Sequence, residues 1–185
     1  MKRSTFLKRT FLLLGVLGMP IKSEPISDSD WKTLISDADS LSDWESLITK
    51  IQEGSIVLKT DSQWSLGKIF SHCAQSIEYS MNGYPEMKSA IFRVSVGKIA
   101  FSVFAFKNQM NHGLEEPIPG AVSLEDPINI KTGTKRLLQS IDTFQSTSES
   151  NLKAHFAYGE LTKEEYDLAH SLHIKNHFDR IFLKV

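Results

Sequence analysis

The chain has 185 residues, 41% hydrophobic, 10% aromatic and 23% charged, with a formal net charge of -1 and a pI near 6.6. That length buries one good core and is too short for two ordinary domains once a leader is set aside. The balanced charge leaves no electrostatic footprint for nucleic acid, because the one basic run lies in the first nine residues.

That basic run, Met1 to Arg9, precedes the apolar segment Phe11-Leu-Leu-Leu-Gly-Val-Leu-Gly-Met19, which has the length of a signal-peptide core. Residues 1–20 therefore read as an export leader, and the expected location is the periplasm. The segment is too short to span a bilayer comfortably, and Pro20 follows it directly. Lys8-Arg9-Thr10-Phe11-Leu12 resembles a twin-arginine signal with lysine in place of the first arginine. No Ala-x-Ala cleavage site follows, so an uncleaved N-terminal anchor is the competing reading. Cys73 is the only cysteine, so no intramolecular disulfide is expected and stability must come from the core or from a metal.

Residues 21–41 are polar, contain Pro25, and read as a linker with a short helical turn near Trp31. The domain is expected over residues 42–185. Ser42-x-x-Glu45 reads as a capping box opening a helix through Trp44, Leu47, Ile48 and Ile51, stopped by Gly54. Ser65 to Asn82 reads as the second helix, with Leu66, Ile69, Phe70, Cys73, Ile77 and Met81 on its apolar face. His72 lies off that face, on an edge shared with Ser76 and Tyr79. A histidine there suits a pocket beside the core, though a single histidine at such a position is more often a surface or capping residue. Cys73 points about 100° away from it and reads as a small core residue.

Lys88 to Lys107 is rich in Phe, Val, Ile and Ala with ambiguous periodicity; Phe101 to Phe106 could be a strand by composition, but the length and lack of turn residues favour a buried helix with Gly97 as a point of close approach. Residues 110–130 contain Gly113, Pro117, Pro119, Gly120 and Pro127, and predict a long irregular connection lying over a site. His112, at its start, reads as a loop residue with a minor option of facing the pocket. Lys135 to Thr147 reads as the next amphipathic helix. Thr162 with Glu165 is a capping box, and Leu161 with Tyr166 forms a hydrophobic staple, so the last helix starts at Thr162.

On that helix Tyr166, His170, His173, His177 and Ile181 fall on one stripe. His173 and His177 are roughly 6 Å apart along the axis and about 40° around it, so both imidazoles can reach one ion. His170 is the alternate ligand, paired with His173 at a spacing of three. His170 and His177, about 10 Å apart along the axis, do not share a small coordination sphere. The competing reading is a set of buried, hydrogen-bonded helix residues. No P-loop, dinucleotide-binding glycine pattern or nucleophile elbow appears.

Four stretches together resemble the DinB-like, or YfiT-like, metalloenzyme superfamily, and in it a bacterial branch classed as a domain of unknown function. They are Trp64-Ser-Leu-Gly-Lys-Ile-Phe-Ser-His72, Pro119-Gly-Ala121, His155-Phe-Ala-Tyr-Gly159 ahead of Leu161 to Tyr166, and His173-Ile-Lys-Asn-His177. The resemblance implies an all-α fold, a four-helix bundle with a long irregular connection between its third and fourth segments. It also implies a divalent metal held by His72, His173 and His177. His155 is followed by Phe156 where that branch usually has proline, and reads as a turn-structuring residue. Arg180 stands where a glutamine is often found.

Three imidazoles leave at least one coordination position open, the pattern of a catalytic site. The donor set fits Zn, Ni or Fe without choosing among them. Ser76 and Tyr79 are candidates to support the ligands from behind. Glu78 points about 120° away from His72, so no general base is assigned. The reactions expected are thiol-type transfer or metal-assisted hydrolysis of a small-molecule substrate. The alternatives are a non-enzymatic binding module stabilised by its ion, and a metal-free helical domain. The oligomeric state stays open, a dimer included.

Overall fold

The computed structural model describes residues 26–184, so the expected leader at residues 1–20 lies outside the described residues. The chain is mostly helical. Helices α1 (Asp28–Asp37) and α2 (Leu41–Gln52) lead to a three-residue strand β1 (Leu58–Thr60) and helix α3 (Leu66–Asn82). A single turn α4 (Ala90–Phe92) continues through a π-helical turn at Arg93–Gly97 into α5 (Lys98–Lys107). After a long loop come α6 (Ile130–Ser146), α7 (Lys163–Phe178) and strand β2 (Ile181–Leu183).

Helices α1, α2, α3, α5, α6 and α7 all contribute to one hydrophobic core. Trp44, Ile48, Phe70, Ile77, Leu137 and Ile141 are fully buried in it. Burial of each such side chain contributes about 1.5–3 kcal/mol, so this cluster dominates the stability of the chain. α3 and α6 approach through glycine: a methyl group at Gly133 would overlap the carbonyl oxygen of Gly67. The indole N–H of Trp44 donates to Ser171 Oγ on α7 at 2.9 Å, which fixes α2 against the helix carrying two of the histidines.

Four expectations are corrected. The capping box of α2 is formed by Ser40 and Asp43 rather than Ser42 and Glu45, because the Asp43 carboxylate accepts from the Ser40 backbone N–H at 3.1 Å. Residues 28–37, where only a short turn of helix was expected from Trp31 to Ala38, form a ten-residue helix. Its Trp31 is buried against Phe178 with ring centroids 5.8 Å apart.

The stripe of α7 stops before Ile181. The helix ends at Phe178, and Ile181 pairs with Thr60 in an antiparallel ribbon where Leu58 meets Leu183. Arg180, bonded to Asp61 Oδ1 at 2.5 Å, holds the turn between helix and strand.

The Lys88–Lys107 segment is helical but not buried. Gly97 and Phe101 face inward, Gly97 directly beneath the carbonyl of Ala157, while Ile91 is 79% and Phe106 92% exposed. The core supplies neighbours on one side of this helix, although its apolar residues are spread over more than one. Among the described residues no helix is long and apolar enough to cross a membrane.

Candidate metal centre

Ser65 caps α3 by accepting the Lys68 backbone N–H, and this start sets His72 nearly two turns along, on the side facing α7. Thr162 and Glu165 cap α7 reciprocally, which sets the phase of His173 and His177. The two helices bring the three imidazoles together. Nε2 of His173 lies 3.2 Å from Nε2 of His72 and 3.2 Å from Nε2 of His177. One nitrogen from each ring falls within 4.8 Å of the other two, and the side chains are only 3%, 9% and 2% exposed.

An ion bound tetrahedrally to imidazole at about 2.0–2.1 Å sets its nitrogens about 3.3–3.4 Å apart, so the observed spacing already suits a shared cation. The lone pairs are available. Burial, with the nearby His112 and Lys68, lowers the His72 pKa to about 4. Burial first, and then the neighbouring imidazoles, holds His173 and His177 well below the ordinary histidine range. All three are therefore neutral at pH 7, the form in which histidine binds metal. Trp64 sets its ring edge-on to His72 at 5.2 Å and restricts the turning of that imidazole.

The alternate ligand, His170, is not among the three grouped imidazoles, although it lines the same cavity. His170 lies outside the trio because its ring stacks on Tyr166 at 5.4 Å and meets Phe144 edge-on at 5.5 Å. Its Nε2 is buried without a hydrogen-bond partner.

The two supporting candidates separate. Ser76 lines the cavity beside His72, whereas Tyr79 turns away and packs on Tyr84 at 5.8 Å. Cys73 is a buried core residue whose thiol is pushed up by burial. Glu78 is committed to a two-point ion pair with Arg136, at 2.8 and 2.6 Å.

His155 structures a turn, as expected. Its Nδ1 accepts from the backbone N–H groups of Ala157 and Tyr158, both at 3.1 Å, and its ring stacks on Tyr158 at 4.2 Å. Its other nitrogen therefore carries the proton.

A cavity of about 270 Å³ opens beside the trio. It is lined by His72 and His173, by Phe156 and Tyr158, and by Met110 and Ile118 from the long loop. That loop does lie over the site. Its contribution of His112 was legible only as a minor option, since residues without periodicity carry no signal of where they fold back. A larger cavity of about 510 Å³, between α1 and the end of α7, holds none of the three histidines.

A family profile described as a protein of unknown function (DUF1569) matches residues 36–183, which include every histidine named above. The chain belongs to the DUF1569 family. No curated protein and no solved structure matches it. For this DUF1569 chain the fold and the three close, buried histidines that can hold a metal ion are the available guides to function.

Proposed function

We propose that this DUF1569 protein is an exported divalent-metal protein with the DinB-like four-helix-bundle architecture. In this reading His72, His173 and His177 hold Zn, Ni or Fe, and the ion acts on a small molecule in the adjoining cavity by thiol-type transfer or hydrolysis. One observation carries it: three buried, neutral imidazoles converge, with Nε2 of His173 3.2 Å from that of both His72 and His177 and all three within 4.8 Å, without a protein carboxylate or cysteine among them. Gathering three imidazoles out of water is costly unless a cation repays it. When bound, the ion would supply a Lewis acid and lower the pKa of a water or thiol at its open position. The chain's own residues would orient the guest, with Phe156 and Tyr158 covering its apolar part and Ser76 offering a hydroxyl. The basic and apolar order of residues 1–19 supports export.

A second reading, a non-enzymatic module held together by its ion, is favoured by the depth of the trio, where His72 and His177 are nearly sealed from solvent. Metal analysis of the purified full chain after supply of Zn, Ni and Fe tests both. One equivalent per chain is expected, lost in His72→Ala and in His173→Ala. Full occupancy in both variants would remove the site. If chelation leaves the helices intact and cooperative, the ion serves chemistry; if it unfolds them, the module reading stands.

A further inference from the structure

We infer that His112 is a fourth imidazole of the centre, brought to the ion by the loop between α5 and α6 rather than by a helix. The inference rests on the metal site proposed above. The ring of His112 stands 5.0 Å from that of His173 and 5.7 Å from that of His177. Each pair within the trio stands at 5.0 Å, so His112 sits at nearly the trio's own spacing.

Its tautomer is set by its neighbour. Nδ1 lies 2.8 Å from the Gly113 carbonyl oxygen, which can only accept, so Nδ1 carries a hydrogen and the lone pair of the uncharged ring lies on Nε2. Anchoring one ring nitrogen on a backbone carbonyl while the other faces a cation is the usual arrangement of a metal-bound histidine. The backbone is anchored too. The His112 carbonyl accepts from Asn176 Nδ2 at 3.4 Å, and Asn176 lies between His173 and His177 on α7. His112 lines the same cavity as His72 and His173 and is half-buried.

The ring nitrogens of His112 fall outside the group that lies within 4.8 Å of one another, so ligation requires the side chain or its loop to advance. That separates it in kind from the other three. Three ligands are fixed on α3 and α7, and the fourth is displaceable. A guest entering the cavity would take the position that His112 yields, and the loop carrying Met110 and Ile118 would shift with it.

X-ray absorption of the Zn-loaded full chain counts the imidazoles directly. Four are expected in the wild type and three plus a lighter oxygen donor in His112→Ala, with free imidazole restoring the fourth. Zinc affinity should fall at least about 10–100-fold, the range typical of losing even an outer partner of a ligand. Amide hydrogen exchange over residues 108–118 should slow on zinc addition in the wild type and not in His112→Ala. Three imidazoles in both proteins with equal affinity would overturn the inference and leave the trio standing. Unchanged zinc occupancy in His72→Ala would instead overturn the site on which it rests.

Discussion

Nε2 of His72 on α3 and Nε2 of His173 on α7 stand 3.2 Å apart, although 101 residues separate them in the chain. Two uncharged imidazoles at that distance satisfy each other through one hydrogen atom. A third ring, His177, against the same Nε2 of His173 competes for it, and a cation resolves the competition by accepting all three lone pairs.

Metal should therefore stabilise the fold. An ion that binds only the folded chain adds about 4 kcal/mol at a free concentration 1,000 times its Kd. For a chain of this size that corresponds to a rise in Tm of about 8–16 °C. Calorimetry with and without chelator measures it, and His177→Ala should abolish most of the difference. An equal rise in that variant would contradict the shared role of the ring.

Acid should destabilise the chain through His170, a residue outside the trio. Burial lowers its pKa to about 3, whereas the unfolded chain takes up that proton near pH 6.5. Stability is then complete above about pH 6.5 and falls as the pH drops toward 3, by about 1.4 kcal/mol per unit for this group. His72, His155, His173 and His177, also depressed, act in the same direction. In His170→Phe, which keeps a ring against Tyr166, the loss between pH 6.5 and 5 should shrink by about 2 kcal/mol. Urea unfolding of the chelated protein at the two pH values reads this out, and an unchanged pH slope would show that His170 is protonated in the fold.

Gly133→Ala should separate α3 from α6. The added methyl group would meet the backbone of Gly67, which cannot rotate away as a side chain could. Overpacking of this kind costs about 1–3 kcal/mol. Because α3 carries His72, zinc affinity should fall together with stability. A variant as stable as the wild type, with full affinity, would show that the two helices can part without cost.

What could be read from the sequence was local. The Thr162 and Glu165 capping box and the four-residue spacing of His173 and His177 are fixed by helix geometry alone, and both appear where expected. Ser65 and Asn82 likewise bound α3 within a residue. The strands were not legible, since three residues such as Ile181–Leu183 show no alternation and their pairing with Leu58–Thr60 closes a loop of more than a hundred residues. The exposed face of α5 was not legible because its apolar composition and length favour burial, and nothing local to Phe106 says that no neighbour reaches it. His170 shares the histidine stripe, but its ring is claimed by Tyr166 and Phe144, the latter from a different helix. His112 comes within 5.0 Å of the His173 ring, centroid to centroid, from a proline-containing loop whose path no periodicity encodes.

Anomalous diffraction at the zinc edge, from crystals of the full chain grown with zinc, tests the central claim most directly. One peak is predicted about 2.0–2.1 Å from Nε2 of each of His72, His173 and His177. A peak bound elsewhere, with these three nitrogens still packed against one another and no ion between them, would contradict it.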